Sequence, residues 1–391
     1  MADQYSSEES VGYGSRLKQS FGGALMGLAM FVVAFPVLFW NEGRAVAEHK
    51  ALDEGASAVV SVAAAVPDPA NDGKLVYIAG EARGSDALAD PVFGMRGNGI
   101  ALAREVEMFQ WVERKETRTE KQLGGGEKRV TTYDYEKKWS DDAVDSTRFE
   151  HPDGHRNPGR LPFESTSTRA DPVKVGGFVL SPSYADDIGG AQSIVPTASQ
   201  LPPNLAASFQ LDDCRLVTSR DPAKPEVGDV RVSFSLVPNQ AVSVIGAQRA
   251  GRIEPYTASN GRQVALLESG DVPAAQMFAQ AHSRASIVTW MLRALGLALM
   301  WGGLAAALGW IARVLDVIPI LGTLVEKGIS LVAFLIALPL GMLTMALAWF
   351  VYRPVVSIVL VAVAVGAFWL LRRRAKGSAL PPPPPPPLPS G

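Results

Sequence analysis

The sequence predicts an integral membrane α+β protein: four transmembrane helices with a large β-rich extracytoplasmic domain inserted between the first and second. Three observations predict it. Apolar runs without a charged side chain stand at residues 21–40, 294–312, 329–351 and 355–371. A bilayer core of roughly 30 Å takes about 20 apolar residues as helix. The long stretch between the first and second runs is polar and patterned as strands, so it stands clear of the hydrocarbon. Finally, Arg16 and Lys18 precede the first run, and Arg372, Arg373, Arg374 and Lys376 follow the last. Cytoplasmic flanks carry the excess of Lys and Arg, so both termini are expected in the cytoplasm.

The elements follow in order. Residues 1–19 are Ser-, Gly- and Glu-rich and read as a disordered cytoplasmic N-terminus. The first span, 20–40, ends in Phe39, Trp40, Asn41 and Glu42 without a small-x-small cleavage site, so it reads as a retained anchor and not a signal peptide. The β-rich domain is expected over 41–285. Residues 45–58 lead out of the membrane as helix, and a strand starts at Leu75. The clearest pattern is a long hairpin, 103–119 and 128–139, about a glycine turn at 124–126. Both arms alternate apolar or aromatic with charged residues, which is the period of a half-buried strand.

Residues 149–205, rich in Pro, Gly, Asp and Ser, predict irregular structure with one strand near 173–180. Strands follow from Asp229, Ala241 and Gln263. Strand-then-hairpin thus occurs twice, which leaves open one domain or two β units at about 58–180 and 208–270. Asp271 and Pro273 are suited to start a helix that runs into the second span, 286–312. A cytoplasmic link, 313–327, joins it to the third span, 328–351, where Pro339 is expected to introduce a bend. The fourth span is 354–371. A basic, proline-rich cytoplasmic tail, 372–391, contains the polyproline run Pro381 to Pro387.

Composition excludes several classes. With 37 Lys+Arg against 39 Asp+Glu there is no basic excess to hold nucleic acid. The single cysteine, Cys214, permits no internal disulfide and no cysteine-built metal site; it reads as a small buried residue. His151 and His155 lie in a Pro/Gly loop and read as surface polar residues. No nucleophile elbow, phosphate loop or dinucleotide fingerprint is present, and nothing calls for a cofactor or metal. The apolar runs themselves lack ionisable residues, which argues against a pump or coupled transporter.

Two places at the membrane border invite interaction with headgroups or partners. Asn41, Glu42 and Arg44 stand where the first span leaves the bilayer. Tyr352 and Arg353 form the corner between the last two spans, where Arg353 is placed to reach a phosphate or to pair with Glu42. Small residues recur at four-residue spacing within the spans: Gly23 and Gly27, Gly302 and Ala306, Ala337 and Gly341, Ala362 and Gly366. Such pairs let helices approach closely in lipid, and packing within the bundle is the favoured reading over oligomer contacts.

The motif NEGRA (Asn41, Glu42, Gly43, Arg44, Ala45) resembles the LUMA family (transmembrane protein 43) when taken with three others. These are the hairpin residues Val106, Glu107, Met108, Gln110, Trp111 and Val112; Pro225 to Asp229 with Arg231, Val232, Ser233 and Phe234; and Tyr352, Arg353, Pro354. Shorter echoes are Gly154 to Pro158 and the turn at Glu268. The likeness runs through nearly the whole chain in order. It implies a multipass protein with a lumenal β-rich domain, resident in endoplasmic reticulum and inner nuclear membrane in eukaryotes, that self-associates and organises other membrane proteins. It implies no catalytic motif. The polyproline tail and many alanines depart from animal members and point to a bacterial relative in the inner membrane.

The expected function is therefore a non-enzymatic membrane scaffold whose partners are the lipid bilayer, a second copy of the chain and other membrane proteins. Asn41, Glu42, Arg44, Trp111, Tyr352 and Arg353 are the interaction or interface candidates. The alternatives are a channel or transporter subunit, with Thr344 as a pore-lining candidate, and an extracytoplasmic hydrolase using Asp153, His155, Asp171 and Asp187.

Overall fold

The computed structural model describes residues 3–84, 87–122, 126–197, 199–315 and 319–355, with 357–359, 362–363, 365–366, 369 and 372 beyond them. Three long helices dominate the α part: Tyr13–Ala58, Ala274–Leu315 and Pro319–Tyr352. Each contains a stretch long and apolar enough to cross a membrane, namely Ser20–Ala58, Ala274–Ala312 and Val325–Tyr352. The third helix continues through Pro339. Of the expected fourth span, the described positions from Pro354 to Trp369 are helical, while several between them lie outside the described residues. The tail from residue 373, with its prolines, also lies outside them.

The chain divides into two compact units. One comprises Met1–Gly22, Ala47–Ile287 and Trp310–Glu326; the other comprises Gly23–Val46, Val288–Gly309 and Lys327–Gly391.

The first unit holds the β structure. The hairpin runs Arg96–Lys121 and Glu127–Ser140. On the other edge of Arg96–Lys121 lies Val230–Pro238, in a register that sets Val106 opposite Val232 and Met108 opposite Val230. Arg215–Val217 and Gln210–Asp212 extend that sheet. In the second sheet, Leu75–Gly84, Gln240–Arg249, Arg252–Glu254, Phe178–Leu180 and Val173–Val175 pair in turn, and Val173–Val175 returns to Leu75–Gly84. The ring so closed leaves these strands no free edge, which removes a template for aggregation. Val76, Ile78, Val175, Phe178, Val242, Val244 and Ile253 fill its core. Each of these two sheets draws strands from both the 58–180 and the 208–270 stretches, because the pairing partners lie far apart in sequence.

Three local expectations are corrected. Residues 3–11, read as unstructured, form the strand Asp3–Val11 on the outer edge of Glu127–Ser140. An open hairpin edge offers unpaired N–H and C=O groups to any extended segment, and Glu8 adds an ion pair to Lys128 at 2.8 Å. The 149–205 stretch contains four short strands in place of one. Val173–Val175 and Phe178–Leu180 are separated by Gly176, whose φ of 58° turns the chain back on itself. Cys214 is half-exposed in the turn after Asp213 and is not a core residue.

Parts of two long helices, residues 47–58 and 274–287, belong to this unit. Ala51 and Leu52 of the first, and Met277, Phe278 and Ala281 of the second, share a core with Leu75, Ile245 and Val264 of the β structure. Polar contacts reinforce the attachment: Ser259 N–H and Tyr256 Oη donate to Glu54 at 2.9 and 3.2 Å, and Asn260 Nδ2 donates to the Ala47 carbonyl at 2.7 Å.

Candidate functional site

The second unit is a helical bundle with a polar layer inside it. Residues Asn41 to Arg44 are not a helix end, as the apolar run suggests, because the first helix continues unbroken to Ala58. Their side chains must therefore find partners laterally, and burial makes those partners obligatory. Glu42 is 2% exposed. Arg293 grips it through both carboxylate oxygens, with Nε donating to Oε1 at 2.6 Å and Nη2 to Oε2 at 2.7 Å. Trp349 Nε1 donates to the same Oε2 at 2.7 Å. One carboxylate thus joins all three long helices. This corrects the pairing of Glu42 with Arg353 proposed from sequence: Arg293 presents a two-pronged donor to the carboxylate, the strongest geometry for such a pair.

Beside it, Asn41 Nδ2 donates to the Thr289 carbonyl at 3.1 Å. Arg44 Nη2 donates to Asn41 Oδ1 at 3.3 Å and to Thr289 Oγ1 at 3.1 Å, both neutral acceptors. Gly43 lies under the Tyr352 ring, where an added Cβ would come 2.9 Å from Cε1. The Arg353 guanidinium lies 5.8 Å from the centre of the Trp349 ring. Of Arg44, Arg293 and Arg353, Arg293 is the one bonded to a carboxylate among the described residues, that of Glu42.

Small residues govern how close the helices come. Gly27 touches the second helix: a Cβ there would stand 2.6 Å from the Ala307 nitrogen and 2.7 Å from the Ala306 Cβ. Gly303, which the spacing rule does not select, meets Phe31 and Gly27 in the same way. Ala337 is buried with Ala34, Leu38 and Met300, and Gly341 receives the Leu297 side chain. Among the described residues Gly23, Gly302 and Gly366 have no neighbour there, and Ala362 is exposed. Gly27→Leu is accordingly expected to destabilise the chain by about 1–3 kcal/mol through overpacking, and Gly23→Leu by less than about 0.5 kcal/mol. Thermal unfolding in detergent measures both.

Trp111 belongs to the β-rich unit. Its N–H donates to Asn157 Oδ1 at 2.8 Å, and its carbonyl accepts from Asn157 Nδ2 at 2.9 Å. The amide thus imitates a paired strand residue and fastens the Gly154–Pro158 loop to the hairpin. His155, expected on the surface, is 1% exposed and stacks on Tyr135 at 4.0 Å. Tyr135 Oη donates to Glu113 at 2.5 Å and accepts from the His151 N–H at 3.0 Å. Burial, then the bond to Glu113, pushes its hydroxyl up to about 12.

Asp153, Asp171 and Asp187 are exposed, so the residues offered for hydrolysis do not share a buried cleft with His155. Among the described residues no three His, Cys, Asp or Glu side chains are grouped to hold a metal ion. Thr344 is buried and its hydroxyl donates to the Leu340 carbonyl of its own helix at 2.8 Å.

Arg293, Thr289, Trp349 and Gly303 were not selected by sequence. Arg293 alone had a signal, an arginine inside the expected 286–312 span, and an ionisable residue at such a position calls for a partner.

The family model for Transmembrane protein 43 matches residues 108–354. Over 364 residues the chain is 36% identical to Transmembrane protein 43 of Mus musculus, covering 89% of each chain. It is 34% identical over 379 residues to the Homo sapiens protein, covering 93% of this chain and 92% of that one. The Drosophila melanogaster Transmembrane protein 43 homolog is 29% identical over 362 residues, covering 89% and 94%. No solved structure matches.

Proposed function

This chain belongs to the transmembrane protein 43 family, and on that premise we propose that it is a non-enzymatic scaffold that self-associates and organises other membrane proteins or lipids. In this reading it crosses the membrane four times, with the β-rich domain outside the cytoplasm and both termini inside. The observation that carries it is the double attachment of the β structure. Helix residues Ala51 and Leu52 on one side and Met277 and Phe278 on the other share its core. The helical segments that enter and leave the β structure are thus both packed into its core. The test is purification in mild detergent with light scattering and cross-linking in native membranes. An oligomer that co-isolates with other membrane proteins is the expected result; a strict monomer that co-isolates with nothing overturns the reading.

The proposed topology makes a separate prediction. Ser7 and Thr131 are register partners, yet a single crossing by residues 20–40 would place them on opposite sides of the bilayer. In a Cys214→Ser background, the double variant Ser7→Cys, Thr131→Cys in sealed membranes decides between the two: the pairing of Asp3–Val11 with the hairpin predicts a disulfide, and the four-span topology predicts none. A cross-link there would show that the N-terminal strand and the hairpin share one side, and the assignment of both termini to the cytoplasm would fall.

A further inference from the structure

We propose that the groove between the second and third long helices binds one anionic phospholipid of the surrounding bilayer, with an acyl chain along the groove and the phosphate at its arginine end. The groove has a volume of about 460 Å³, within the range of small-molecule sites. One wall is Trp290, Arg293 and Leu297; the other is Met342, Met345 and Trp349. Each wall follows helical spacing over two turns, about 10 Å at 1.5 Å per residue.

The lining has a direction. The helices run antiparallel here: Gly341 receives Leu297, and Trp349 reaches the carboxylate held by Arg293. The end at Leu297 and Met342 is therefore wholly apolar, and the end at Arg293 carries both tryptophans. Methionine side chains adapt to an irregular chain, and tryptophans sit at the level of headgroups. The Arg293 guanidinium lies 4.6 Å from the centre of the Trp290 ring, so the polar end is rigid.

Charge selects the headgroup. Arg293 occupies both oxygens of Glu42, while Arg44 is bonded to the neutral acceptors Asn41 and Thr289. Arg44 Nε is buried without a hydrogen-bond partner among the described residues. Arg353 has an aromatic neighbour and no carboxylate among them. A phosphate without a compensating cation supplies what this layer lacks, and arginine binds phosphate through paired N–H donors. This inference does not rest on the scaffold reading: a monomer can hold the lipid, and an oligomer can lack it.

The experiment uses the full chain in mild detergent, titrated with equal phosphatidylglycerol and phosphatidylcholine and read by native mass spectrometry. Arg353, beside the lining residue Trp349 and without a carboxylate among the described residues, predicts roughly a fivefold preference for phosphatidylglycerol, at one molecule per chain. Arg353→Gln is expected to reduce that preference, and Ala346→Phe, which fills the groove, to abolish retention. Melting temperatures identify a variant that fails to fold; should Ala346→Phe fail, Arg353→Gln decides alone. Equal retention of both lipids, or a preference unchanged in Arg353→Gln, overturns the proposal. So does a dimer that Ala346→Phe dissociates, which would assign the groove to a second copy.

Discussion

Replacing Glu42 with alanine is expected to destabilise the chain by about 3–5 kcal/mol, because it leaves the Arg293 charge buried without its partner. Arg293 is 15% exposed at its side chain, and its Nε and Nη2 both donate to Glu42. Trp349 loses its acceptor in the same step. The three long helices would then lack their shared polar contact, and helix association in lipid has no hydrophobic drive to replace it. Thermal unfolding in detergent, followed by tryptophan fluorescence, reads the loss. The double variant Glu42→Leu, Arg293→Met is the control. Removing both charges together can be nearly neutral, so it should recover much of what the single change loses. A single variant as stable as the parent would mean that the pair does not hold the helices.

Asp90→Ala is expected to have a comparable effect on the β-rich unit, again about 3–5 kcal/mol. Asp90 and Arg104 are 3% and 7% exposed and meet at 2.6 Å. The carboxylate also accepts the backbone N–H groups of Val92 at 3.0 Å and Phe93 at 2.8 Å. Phe93 is fully buried against Phe163, Phe209 and Phe234. One side chain thus fixes a turn, an arginine and the aromatic centre of a core. Arg104 keeps its bonds to the Glu164 carbonyl, at 3.0 and 2.9 Å, which limits the loss. Asp90→Asn retains an acceptor for the two N–H groups and should lose less. Chemical denaturation of the full chain compares them; equal losses would show that the charge, and not the turn, matters.

Both predictions concern residues whose importance sequence reading reached unevenly. Glu42 stands out because it borders an apolar run, and the sequence offers Arg353 as one partner for it, with a headgroup phosphate as the other use of that arginine. Arg293, its partner across 251 positions, was passed over. His155 was assigned to the surface because its neighbours are Pro, Gly and Asp. In the structure the ring lies under Tyr135, since Asn157 ties its loop to the hairpin at Trp111. Of the small residues at four-residue spacing, Gly27, Ala306, Ala337 and Gly341 make close or buried helix contacts, and Gly23, Gly302 and Gly366 make none among the described residues. Spacing marks a face of a helix without showing what that face meets.

The sequence by itself determined where the apolar helices lie, that a β-rich region stands between the first two, and where the long hairpin runs. Those features depend on length, charge-free runs and two-residue alternation, which are properties of neighbouring residues and therefore readable along the chain. Only the tertiary structure decided that Glu42 meets Arg293 and Trp349, that strands from distant stretches share each sheet, and that Asp3–Val11 adds to the hairpin edge. Those outcomes depend on the rotation and register of elements packed together, and residues far apart in sequence carry no local mark of the partner they will meet.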